Sequence, residues 1–116
     1  MLKKYDIVFV NLNPKKWHTQ AWIIPCVIIQ NNLFNNNAPT LIVVPLTSNL
    51  KTPFPSEFII NASKQNWLKE DSRFLGSQII TIDKDFVTKK VWSLEAKYYE
   101  EIKNAIYIAL DFDDDF

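Results

Sequence analysis

The chain is a succession of short apolar runs, each closed by proline or asparagine, and it has one glycine in 116 residues. Short runs bounded by turn residues fit strands far better than helices. With so little glycine, the tolerance of asparagine for left-handed geometry matters at the turns. YDIVFVNLNP, Tyr5–Pro14, alternates with apolar residues on both faces, as in a strand buried on two sides. Pro14 ends it, and KKWHTQ follows as a polar loop. WIIPCVIIQ, ending at Gln30, is a second strand, with Pro25 near its start, where a missing N–H costs least. NNLFNNNAP is a turn-rich connection, TLIVVPL a third strand, TSNLKTPFPS a loop and EFIIN a short fourth strand. ASKQNWLKEDS has room for one helical turn, and RFLGSQIITID gives one or two further strands.

Near the end the period changes. In SLEAKYYEEIKNAIYIAL, residues Tyr98, Tyr99, Ile102, Ala105, Ile106, Ala109 and Leu110 form a helical stripe. Ser93 is placed to cap this helix, with Glu95 in its first turn. Many short strands followed by a helix predict a mostly β (α+β) fold, a small twisted barrel-like sheet with a C-terminal α-helix packed on it. Neither repeats nor a linker divide residues 1–116, so a single domain is expected, with 113–116 as an acidic tail.

Composition excludes several classes. The apolar runs are too short for a bilayer, and the start is broken by Asp6 and Asn11, unlike a signal peptide, so no membrane role is expected. One cysteine, Cys26, excludes an internal disulfide, fits a cytoplasmic location and reads as buried filler. One histidine and one cysteine cannot build a usual zinc site, and a Gly-rich phosphate loop is absent, so no cofactor or metal is expected. A net charge of zero means that nucleic-acid binding would need a local patch. Lys15, Lys16 and Trp17 supply one candidate, pairing phosphate contacts with a stacking surface, and a charged, solvated loop is the plainer alternative.

Several elements, in order, resemble the MazF/PemK (Kid-like) toxins of type II toxin–antitoxin pairs. NLNP, Asn11–Pro14, matches the family's strand-ending element; WHTQAWIIPCVIIQ matches its loop and second strand at Gln20, Pro25 and Val27–Ile29. VVPLTSN, Val43–Asn49, matches its third strand, and GSQIITIDK, Gly76–Lys84, its Q-x-R-T-I-D-K tag. The resemblance spans Tyr5 to Phe112 and implies an SH3-like or CcdB-like β-barrel, usually a homodimer. It implies a metal-independent endoribonuclease acting on single-stranded RNA such as mRNA, and a cognate antitoxin whose acidic tail lies in the RNA cleft. In that reaction the 2′-hydroxyl attacks the adjacent phosphorus, leaving a cyclic phosphate and a free 5′-hydroxyl.

Such chemistry needs a base, an acid and positive charge at the phosphate. The resemblance places Thr47 and Ser48 in the cleft and His18 at a loop position that is histidine in Kid-like members. His18 and Thr47 are therefore the catalytic candidates, with Lys15, Lys16, Trp17, Gln20, Ser48, Arg73 and Gln78 as RNA contacts. Three positions where the family keeps arginine are here Ile24, Leu75 and Ile80, and its aspartate is Ser77. Hydrocarbon offers neither donor nor charge. Arg73, the sole arginine, lies an even step from Leu75 and so shares its strand face. Thr47 and Asn49 also suit a plain turn, and Gln78 a loop held by backbone bonds. Two functions follow: an endoribonuclease with an impaired site, or a catalytically inactive relative that binds nucleic acid, an antitoxin or another protein.

Overall fold

The structure, a computed structural model, describes residues 1–12 and 23–113. Seven strands are β1 (Asp6–Asn11), β2 (Ile23–Ile28), β3 (Thr40–Thr47), β4 (Glu57–Ile60), β5 (Ser72–Leu75), β6 (Ile80–Asp83) and β7 (Val87–Ser93). Two α-helices are α1 (Asn32–Asn37) and α2 (Tyr99–Leu110), the latter entered through a 3-10 turn at Ala96–Tyr98. The strands form one antiparallel sheet in the order β4-β5-β3-β2-β1-β7, with β6 joined to β3. The mostly β fold with a C-terminal helix is the one the sequence predicts. The sheet curls but stays open, since the hydrogen-bonded path ends at β4 and β7.

Two-sided burial of β1 is realised. Ile7 joins a core with Val27, Val44, Leu46, Ile60 and Phe74, closed by Leu94, Tyr98, Ile102 and Ala105 from the helical end. Val8 and Val10 join a second core with Cys26, Ile28, Leu41, Val43 and Ile82. Successive residues therefore feed opposite faces of the same sheet. The helical stripe packs as expected at Tyr98, Ile102 and Ala105, and Leu110 is exposed at its far end.

The long strand β3 serves three neighbours. Its Val43–Pro45 segment pairs with β2, Thr40–Val43 with β6, and Leu46–Thr47 with β5. Pro45 sits where pairing passes from β6 to β5, a point that can spare an N–H. Pro25 lies opposite Phe9 and just outside the β2–β3 ladder, which starts at Cys26.

Two local expectations are corrected and a third is met. Ser93 does not cap a helix; it is the last residue of β7, paired with Asp6. That strand was hidden because FVTKKVWS carries charge where a core strand carries hydrocarbon. The NNLFNNNAP segment contains α1, whose first turn is capped by the Asn31 side chain accepting from the Leu33 N–H at 2.7 Å. Asn35 explains why the helix pays off there: it is buried, donates to the Gln30 carbonyl at 2.9 Å and accepts from Gln30 Nε2 at 2.9 Å. The predicted turn in ASKQNWLKEDS exists, closed by the Trp67 N–H on the Ser63 carbonyl at 2.9 Å.

Two tests follow. Gly76 is needed for space, because a Cβ there would lie 2.1 Å from the Ser56 carbonyl oxygen and 3.2 Å from Ala105 Cβ. Gly76→Ala is expected to lower unfolding free energy by about 1–3 kcal/mol in urea titration. Burial pushes the Cys26 thiol up to about 12, so in the native chain it stays protonated. At pH 8 it should resist a thiol reagent until denaturant is added, and fast native labelling would contradict this burial.

Candidate nucleic-acid cleft

The end of β3 opens into a cleft of about 420 Å³. Phe9, Ile24 and Pro25 form one wall; Leu46, Thr47 and Ser48 the floor; Leu68, Lys69, Glu70 and Ser72 the other wall. Thr47 and Ser48, chosen from the sequence, thus face the same space as Ile24. Thr47 Oγ1 accepts the Asn49 N–H at 3.2 Å, and Asn49 Oδ1 accepts the Lys51 N–H at 3.3 Å. The turn role and the site role are compatible. The hydroxyl's lone pair serves the turn, which leaves its proton free to donate into the cleft.

Lys69 and Glu70 are the charged residues on the cleft wall among the described residues, and their charges offset. His18, Lys15, Lys16, Trp17 and Gln20 lie outside the described residues, as do Asp114 to Phe116 of the tail. Asp113 accepts a hydrogen bond from the Tyr107 hydroxyl at 2.7 Å, which ties the start of the tail to α2. That bond is the main reason the Tyr107 phenol is held above its ordinary pKa.

Arg73 and Gln78 come together, but in a second depression of about 700 Å³, with Lys51, Thr52, Phe54 and Glu57. Leu75 lines it too, as the even step from Arg73 predicts. Arg73 is the β5 partner of Thr47, so the two depressions adjoin at the end of this ladder. Its guanidinium is ion-paired through Nε, which lies 3.5 Å from Glu57 Oε1 without a hydrogen bond, with side chains 13% and 8% exposed. Glu57 Oε1 also accepts the Phe54 N–H at 3.1 Å. Gln78 is exposed, and its backbone N–H closes a turn on the Leu75 carbonyl at 2.8 Å.

Ile24, Leu75 and Ile80 have structural employment. Ile24 and Ile80 pack against the second core, and Leu75 is buried. The sequence reading missed Leu68, Lys69, Glu70 and Ser72 as cleft residues. The polar LKEDS run was their one signal, and nothing local indicates that it folds back over β3. Among the described residues, no group of three or more His, Cys, Asp or Glu could hold a metal, and no helix is long and apolar enough to cross a membrane.

An open antiparallel sheet, a covering C-terminal helix and a cleft at the end of the third strand define a small mostly β fold. Residues 3–110 match the family model described as PemK-like, MazF-like toxin of type II toxin–antitoxin system. The chain is 37% identical over 111 residues to endoribonuclease MazF of Staphylococcus saprophyticus, covering 95% of this chain and 92% of that protein. It is 32% identical over 111 residues to endoribonuclease EndoA of Bacillus subtilis, covering 95% of each. A mycobacterial endoribonuclease solved with its cognate antitoxin has the same fold, with a TM-score of 0.79 at 17% identity over 99% of this chain and all of that one. The chain belongs to the PemK/MazF endoribonuclease toxin family.

One consequence concerns Arg73. Its removal strands the Glu57 carboxylate in a nearly buried place, so Arg73→Leu should cost about 3 kcal/mol in chemical denaturation. Adding Glu57→Gln should restore part of it. An unchanged midpoint in the single variant would mean that Arg73 is free for another role.

Proposed function

We propose that this chain binds single-stranded RNA in the Thr47 cleft and cleaves it weakly by metal-independent attack of the 2′-hydroxyl. The observation carrying this reading is a cleft that keeps the hydroxyls of Thr47 and Ser48 while Ile24 supplies hydrocarbon on its wall. The 2′-hydroxyl gives its proton to a base, and His18 is the side chain able to take one near neutrality. The new O2′–P bond forms as the P–O5′ bond breaks, and the leaving O5′ takes a proton from solvent water. Thr47 donates to a non-bridging phosphate oxygen. Lys15, Lys16 and Lys69 provide screened positive charge, and Trp17, Gln20 and Gln78 contact bases. What is missing is a fixed cation on the phosphorane. Losing one such preorganised donor lowers turnover by roughly 10²–10³ in other enzymes, so slow cleavage is expected.

Two properties are proposed from the family. The working form is a homodimer, and the natural partner is an antitoxin with an acidic segment. A mycobacterial neighbour at TM-score 0.79 was solved with its cognate antitoxin. The second reading, a binder without chemistry, is favoured by Arg73, whose charge is held by Glu57 rather than offered to a phosphate.

Expression in a bacterial host followed by mapping of 5′-hydroxyl RNA ends separates the two. Sparse, sequence-dependent new ends should appear and vanish in His18→Ala and Thr47→Ala. Ile24→Arg should raise their yield at least about tenfold by restoring a cation to the wall. Unchanged RNA at high expression in both wild type and Ile24→Arg would leave the binding reading.

A further inference from the structure

Two tryptophans stand on the surface beside the cleft, and the backbone is distorted twice to put them there. Trp67 is 59% exposed and Trp92 49%, with ring centroids 5.8 Å apart and planes tilted by 56°. Trp67 has φ +56°, a left-handed conformation that bulky side chains rarely adopt. Trp92 lies where β7 is irregular. Between its partners Lys90 and Ser93 the strand spends three steps against two in β1, from Val8 to Asp6, so one extra residue is inserted. Bulges of this kind re-aim side chains and are common near sites.

The distortion at Trp67 is held from beneath by a buried network. Asn66 is fully buried; its Nδ2 donates to the Asn61 carbonyl at 2.9 Å and to Glu95 Oε1 at 3.0 Å. Its Oδ1 accepts from the N–H of Ser63 at 3.1 Å and of Leu68 at 3.0 Å. The Ser63 hydroxyl donates to Glu95 Oε2 at 2.8 Å. Glu95 follows β7, so one carboxylate ties the Trp67 loop to the segment after Trp92. A rigid mount under an exposed, unfavourable conformation is a feature of sites rather than of cores.

We propose that Trp67 and Trp92 form a stacking platform for an unpaired base of single-stranded RNA whose backbone leaves the Thr47 cleft. The inference rests on the RNA reading above and extends it to a specific subsite. Continuity supports it: Leu68 and Lys69, directly after Trp67, line the cleft wall, as does Phe9, whose β7 partner is Lys89. Charge supports it as well. Lys64 and Lys69 on either side of Trp67 in the chain, and Lys89 on the strand of Trp92, are exposed and suit phosphates, while Lys90 is 3.3 Å from Asp6 Oδ2. Indole faces with lysines between them are the general means of gripping single strands.

The test uses the full chain and a short fluorescein-labelled oligoribonucleotide with 2′-O-methyl riboses, which cannot be cleaved, beside an abasic oligomer of equal charge. Trp67→Gly and Trp92→Ala should each weaken the base-bearing oligomer roughly 5- to 150-fold. They should leave abasic binding and the slope of log affinity against log salt unchanged, because no phosphate contact is lost. Glycine adopts the left-handed geometry freely, so Trp67→Gly should keep its melting temperature. Trp67→Phe should retain most of the affinity. Binding of both variants within twofold of wild type, or altered mass by light scattering with RNA affinity unchanged, would overturn the platform alone. Failure of the wild-type chain to bind either oligomer would overturn the platform and the RNA reading together.

Discussion

The architecture depends on β3 bonding to three strands at once. Its first half holds β6, its last two residues hold β5, and β2 pairs with its middle. One strand with two outer partners forces the sheet to curl, because β6 and β5 leave it in succession along its length. The cleft floor is the end of this strand, so Thr47 is positioned by the same ladder that organises the fold. Pro45 makes the handover possible by removing a donor that would otherwise need a partner.

Packing also accounts for three apolar residues, Ile24, Leu75 and Ile80. Ile24 and Ile80 contribute to the second core, and Leu75 is buried beside Arg73. Hydrocarbon at these places adds burial where an arginine would need solvent or a counter-ion. Glu57 supplies such a counter-ion for Arg73 and thereby draws its charge away from the cleft.

Much of the fold was legible in local pattern. The alternation in DIVFVN, the run IIPCVI and the stripe through Tyr98, Ile102 and Ala105 each reported a strand or helix, because a repeating contact with one core leaves a repeating imprint. The strand β7 escaped because VTKKVWS lies at a sheet edge, where exposed lysines replace the apolar partner of each pair. Helix α1 escaped because its asparagines act one by one as cap and buried hydrogen-bonding group rather than as a stripe. Thr47 and Ser48, picked out by a motif, line one cleft with Ile24.

By itself the sequence determined the strand-rich class, the two-faced burial of β1 and the inert cysteine. These follow from residue type and spacing, which act over a few residues. Only the tertiary structure decided that Arg73 is neutralised by Glu57, that the polar run after Trp67 walls the cleft, and that Trp67 meets Trp92. Each of those joins residues from different elements. Their meeting is set by ladder register, a bulge and a buried asparagine, none of which has a signature in any single stretch of the chain.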